Sequence, residues 1–232
     1  KGEAGALPTP EQQVEFLKEY AKTIVPDLQS NPNIVVKEMD VASAKVSNAV
    51  AYYMKSALDN TGSEYITLNP VKTKVSSQND VLGTLAHEGY PGHLYAYIYS
   101  KELELSNLAT VMTNTGHAEG WATYVQLKLY EYAKEQSDDE KFDAVMDYLY
   151  ANELSSFLLE TRLDAGIHLE GWTVEDIATY MTNLGYSGDS AESIYDLLVE
   201  MPATYHAYGY GKYFFIKTTS FQELPAALPE EE

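Results

Sequence analysis

Apolar residues recur at helical spacing along most of this chain and at strand spacing over one stretch near its beginning. Thr9-Pro10-Glu11-Gln12 reads as an N-cap followed by proline at the first helical position. Val14, Leu17, Ala21 and Ile24 then share one face, so a helix is expected up to Pro26. From about 33 to 70 the texture changes. Ile34-Val35-Val36 and Tyr65-Ile66-Thr67-Leu68 favour strands, and Asp59-Asn60-Thr61-Gly62 between them is turn chemistry. A small sheet is expected there. From 78 to 217 the pattern is helical, with segments near 79–100, 107–135, 138–170, 174–184, 190–200 and 203–217. Gly171, Gly185 and Gly188 mark stops, while Thr173 with Asp176 and Ser190 with Ser193 stand where N-terminal caps belong. The expected fold is mainly α with a small β-sheet (α+β), one domain over 1–222 and a solvated acidic tail over 223–232.

Composition narrows the function. With 45% apolar residues in 232, the chain has material for a substantial core. Its 15 basic against 35 acidic side chains leave a net charge of −20, which repels phosphate backbones, so no nucleic-acid partner is expected. The absence of cysteine excludes disulfides, thiolate metal sites and cysteine nucleophiles. No apolar run approaches the roughly 18 residues of a membrane helix, and KGEAGALPTP lacks the apolar core of a signal peptide. An upstream signal removed earlier remains compatible with this start.

Three segments carry candidate chemistry, all around the histidines. In HEGYPGH, His87-Glu88 opens like the zinc-binding pattern HExxH, whose second histidine lies one helical turn on and whose glutamate serves as a base for water. Here the second histidine, His93, comes six positions on, about 240° round an unbroken helix. Pro91 and Gly92 break helices, and a break between the histidines would turn both imidazoles to one side. In HAEGWATY, Glu119 falls on a downstream helix, where zinc sites of the two-His, one-Glu kind take their third ligand; the plain alternative is a solvated Glu beside a packing Trp121. His117 should face away from it. In TRLDAGIH, the stripe through Met146, Leu149 and Phe157 also passes Glu153, Glu160, Asp164 and His168, and Asp164 and His168 are i, i+4 neighbours able to pair. Arg162, the one arginine, suits a buried carboxylate pair or a substrate carboxylate. Tyr205, Tyr208, Tyr210 and Tyr213 crowd the last helix, and a phenol near a metal can donate to a developing oxyanion.

Taken together, HEGYPGH, EGWATY, RLDAGIH and Pro202 with Tyr208 and Gly211 resemble a bacterial family, the domain of unknown function numbered 885. That family is similar to zinc metallopeptidases of the gluzincin type. The resemblance implies a zincin-like catalytic domain with one Zn²⁺ on His87, His93 and Glu119, Glu88 as general base, and His168 and Tyr208 as transition-state donors. Asp164, Arg162 and Tyr205 would stand behind the site or meet substrate. It implies a peptidase, carboxypeptidase-like, acting on a peptide or small amide, with the Tyr65 to Asn69 strand as the edge that pairs with substrate. Two departures stand out: members often carry a second His where this chain has Leu94, and they are about twice as long, so an upstream helical half is implied as partner. The family is frequent among exported lipoprotein-type proteins, which implies a cell-surface place, with the cytoplasm still open. The alternatives are an inactive peptidase-like binding or scaffold protein, and a glycosidase using Glu153 and Glu160.

Overall fold

A computed structural model of the chain describes residues 9–220, Val75 and Thr113 excepted; the expected acidic tail lies outside the described residues. Helix α1 (Pro10–Ala21) opens with a capping box between Thr9 and Gln12 and packs Val14, Leu17, Tyr20 and Ala21 inward. It stops before Pro26 because the Thr23 hydroxyl takes the Tyr20 carbonyl at 2.6 Å and the following residues continue as turns. Next come β1 (Ile34–Glu38), α2 (Val41–Val46), β2 (Ala51–Tyr53) and β3 (Glu64–Leu68). The sheet order is β1-β3-β2, with β1 parallel and β2 antiparallel to β3.

This order corrects the expectation that the Tyr65 to Asn69 strand is an open edge: β3 is central, paired on both sides. The open edge beside the helices belongs to β2. Asn69 N–H donates to the Val50 carbonyl at 2.8 Å, so positions 50 and 52 face β3. Ala51 and Tyr53 therefore point their backbone groups away from β3.

The helical part contains α3 (Gln78–Glu88), α4 (His93–Glu102), α5 (Asn107–Val111), α6 (Thr115–Glu135), α7 (Glu140–Glu170), α8 (Val174–Asn183), α9 (Ala191–Glu200) and α10 (Thr204–Ser220). Two segments expected as single helices are thus each broken in two. Thr173 and Asp176 form the expected capping box, and Gly171 ends α7 in the left-handed region at φ 74°. Ser190 stands at the N-cap of α9 without a side-chain bond; a 3₁₀ turn over Gly188–Ser190, capped by Ser187, leads in instead. No helix among the described residues is long and apolar enough to cross a membrane.

The largest core joins α1, the inner sheet face, α3, α4 and α6, through Leu17, Tyr20, Ile66, Leu82, Leu85, Leu94 and Leu129. A second packs α6 on the first half of α7, and a third packs the end of α7 on α8 and α9. Helix α10 lies against α6 at backbone distance: a Cβ on Gly211 would overlap the Gly116 carbonyl, and one on Gly120 would overlap Gly211 itself.

Lys212 explains the polar stripe on α7. It is 1% exposed, and its ammonium donates to the Glu153 and Leu154 carbonyls at 2.8 and 3.2 Å. Burial pulls its pKa down to about 8 against the opposing charges of Glu153 and Glu160. The unfolded chain holds that proton to roughly pH 10.4, so folding releases it and stability should rise between about pH 8 and pH 10, by about 2 kcal/mol. Urea unfolding across that window measures the rise, and Lys212→Met should lack it. Equal slopes for the two proteins would contradict this account.

Candidate metal centre

Helix α3 starts from a capping box between Ser77 and Asp80 and ends at Glu88, where Gly89 leaves helical geometry and the Tyr90–Pro91 peptide is cis. The chain then folds back on the helix it has just left. Gly92 N–H donates to the Ala86 carbonyl at 2.9 Å and Tyr95 N–H to the Gly89 carbonyl at 3.2 Å. A Cβ on Gly92 would overlap the carbonyl oxygens of His87 and Ala86. Trp121 of α6 donates its indole N–H to the Pro91 carbonyl at 2.9 Å, tying the loop to the next helix. With α4 restarting at His93, a spacing that separates the histidines on one helix sets them side by side, ring centroids 4.9 Å apart and nearly perpendicular.

Glu119 completes the group from α6. Its Oε2 lies 3.4 Å from His87 Nε2 and 3.5 Å from His93 Nε2, and the three ligand atoms all fall within 4.8 Å of one another. Ligands at roughly 2.0–2.1 Å around a tetrahedral ion stand about 3.4 Å apart, so the donor set and its spacing fit zinc with one position open. The three side chains keep 13 to 20% exposure, enough for access. Burial pushes the Glu119 carboxyl up, but hydrogen bonds and charge from His87 and His93 outweigh it and bring it down to about 2. Burial opposes charge on His87, yet the hydrogen bond to Glu119 and the charges of Glu88, Glu119 and Glu153 raise its pKa. The site therefore holds concentrated negative charge against its imidazoles, which suits a cation.

Glu88, on the last turn of α3, accepts Tyr53 N–H of the open β2 edge at 2.9 Å. Tyr208 of α10 faces Glu119 and Glu88, and burial followed by those two charges pushes its phenol up to about 12, so it keeps its proton at neutral pH. Its ring stacks on Phe157 at 4.8 Å. Gly209 lets α10 lie against Thr161 of α7, whose hydroxyl reaches the Tyr205 carbonyl at 3.1 Å. The Tyr205 ring packs beside Tyr208 and Phe157, behind the phenol.

Four other sequence candidates are taken elsewhere. His168 is held by the Leu198 carbonyl at 3.2 Å and by Asp164 at 3.3 Å, half exposed and away from the cluster. Asp164 is buried and accepts Ala203 N–H at 2.7 Å, fastening the entry to α10. Arg162 is neither buried nor turned to the centre; it grips Glu170 through both nitrogens at 2.9 and 3.1 Å and lies over Trp172. His117 is exposed and edge-on to Phe215, as its offset from Glu119 implies. Glu153 and Glu160 flank the buried Lys212. Sequence reasoning missed His206, 3.5 Å from Asp164, and Gln126, whose Oε1 lies 3.2 Å from His87 Nδ1. Gln126 sits seven residues after Glu119, two helical turns on, and that spacing was the available signal.

Solved structures share the fold. The chain is 18% identical to a protein named as a lipoprotein from Colwellia psychrerythraea, with a TM-score of 0.63, covering 96% of this chain and 39% of that one. A protein named as a lipoprotein of unknown function from Shewanella oneidensis is also 18% identical, with a TM-score of 0.64, covering 94% of this chain and 40% of its own. The chain thus spans about two fifths of the length of each. No curated protein matches. A family model matches residues 2–217, and the chain belongs to that family, the bacterial proteins of unknown function DUF885.

Proposed function

We propose that this chain is the catalytic part of a zinc-dependent hydrolase, most simply a peptidase of carboxypeptidase-like type. The observation that carries the reading is the convergence of His87 Nε2, His93 Nε2 and a Glu119 oxygen, next to a glutamate on the same turn as His87. Zinc held by these three groups would polarise a carbonyl and lower the pKa of a water to roughly 7.

The chain's own residues supply the rest. Glu88 takes the proton as water attacks the carbonyl carbon and returns it to the leaving amine. One of its oxygens is anchored on Tyr53 N–H, which fixes its direction. A substrate backbone adding to the outward groups of β2 is held in extended form beside Glu88 without dependence on its side chains. Tyr208, protonated and facing the two glutamates, donates to the oxygen that gains charge. His168 and Asp164 brace α7, α9 and α10 around that phenol. The names of the two solved relatives support a place at the bacterial cell surface. Their greater length supports a further part of the protein forming more of the cleft.

Protein purified without added zinc should carry about one zinc per chain. A chelator should remove both the metal and the hydrolysis of a peptide library, and added zinc should restore both. A metal-free protein that digests nothing supports the binding or scaffold reading instead, and glycan digestion without metal supports the two-carboxylate reading.

A further inference from the structure

Behind His87 the hydrogen bonds have only one consistent direction. The Gln126 amide nitrogen has two protons, and both are used: one goes to the Tyr130 hydroxyl at 3.0 Å and one to Glu153 Oε2 at 3.3 Å. An ionised carboxylate only accepts, so Glu153 holds the amide with its nitrogen turned away from His87. The amide oxygen is left 3.2 Å from His87 Nδ1, which must then carry the proton. His87 Nε2 keeps its lone pair, and Nε2 is the atom 3.4 Å from Glu119.

The packing leaves room for this chain of bonds. Gly83 lies one turn before His87 on α3, and a Cβ there would overlap the Tyr130 hydroxyl and stand 3.3 Å from Gln126 Nε2. Lys212 lies on the other side of Glu153, and its charge opposes the tendency of burial to neutralise that carboxyl.

We infer that Glu153, acting through Gln126, is a positioning residue that sets the tautomer of His87 and so decides which ring nitrogen is offered to His93 and Glu119. The consequence for metal affinity rests on the zinc reading; the tautomer itself does not.

The test uses the whole chain with ¹⁵N-labelled histidine, metal-free and at a pH where the rings are neutral. In the wild type, Nδ1 of His87 should carry the proton and Nε2 should not. In Glu153→Gln the side chain at 153 can donate as well as accept, Gln126 loses its fixed direction, and His87 should populate both tautomers. Zinc affinity should fall about 10-fold in that variant.

The swapped double variant Q126E/E153Q is the decisive comparison. The carboxylate placed at 126 accepts from Nδ1–H, and the amide placed at 153 donates to that carboxylate. The single tautomer should return, with zinc affinity within about threefold of wild type. A role limited to packing predicts no such rescue. A wild-type His87 protonated on Nε2, an unchanged tautomer in E153Q, or a double variant no better than E153Q would each overturn the inference. A wild type with one tautomer and no stoichiometric zinc would overturn the metal reading alone.

Discussion

Glu88→Gln should lower peptide hydrolysis by about 10²- to 10⁴-fold and leave the zinc content unchanged. The two side chains have the same shape, so the expected difference is the lost capacity to take a proton. The amide oxygen still accepts Tyr53 N–H, the one hydrogen bond that Glu88 makes to the β2 edge. Thermal stability should therefore stay within about 1 kcal/mol of wild type. His87, His93 and Glu119 are untouched, so metal analysis of the variant should match the wild type. Loss of zinc together with activity would mean that Glu88 holds the site together. Undiminished hydrolysis with zinc in place would remove Glu88 as the base.

The sequence made the helices legible wherever a local signal decides them. Thr9 with Gln12, Thr173 with Asp176 and the left-handed Gly171 are decided within four residues, and each stands where the pattern places it. The break between His87 and His93 was legible for the same reason, since Pro91 and Gly92 cannot continue α3. What local pattern does not contain is pairing. Strand β2 has three residues, too few for an alternation to register, yet it takes one side of β3 and moves the open edge from Tyr65–Asn69 to Ala51–Tyr53.

The site divides in the same way. Residue type and spacing pointed to His87, His93, Glu119 and Glu88, and the fold brings the first three within hydrogen-bonding range. His168 and Arg162 looked equally chemical on paper. Their partners are Leu198, thirty positions on, and Glu170, two turns on, and only the path of the chain selects those over the cluster. Gln126 was overlooked because glutamine at a helix face reads as solvated polarity. It becomes meaningful once Gly83, Tyr130 and Glu153 enclose it. The polar stripe on α7 is likewise answered from α10, by Lys212, which no α7 periodicity announces.

Gly92→Ala should be the most damaging change that removes no chemical group. The methyl would overlap the carbonyl oxygens of His87 and Ala86, which belong to the last turn of α3 and cannot swing aside as a side chain does. Relief requires the loop to lift. Lifting breaks Gly92 N–H to Ala86 at 2.9 Å and pulls on the Trp121 bond to Pro91. Overpacking of this kind costs about 3 kcal/mol, roughly 10 °C in the melting temperature of a chain this size. The same displacement carries His93 away from His87 and Glu119. A shift of about 1 Å in a reacting group is enough for a roughly 100-fold loss of turnover, and zinc binding should weaken with it. Gly62→Ala, in the exposed turn before β3, serves as control: its nearest neighbour would be Asn60 Oδ1 at 3.3 Å, and stability should change by about 0.5 kcal/mol or less. Melting curves and zinc titrations of the two variants decide the matter. A Gly92→Ala protein that melts and binds zinc like the wild type would show that the imidazoles are brought together by α4 and α6 alone, without the tight return of the loop.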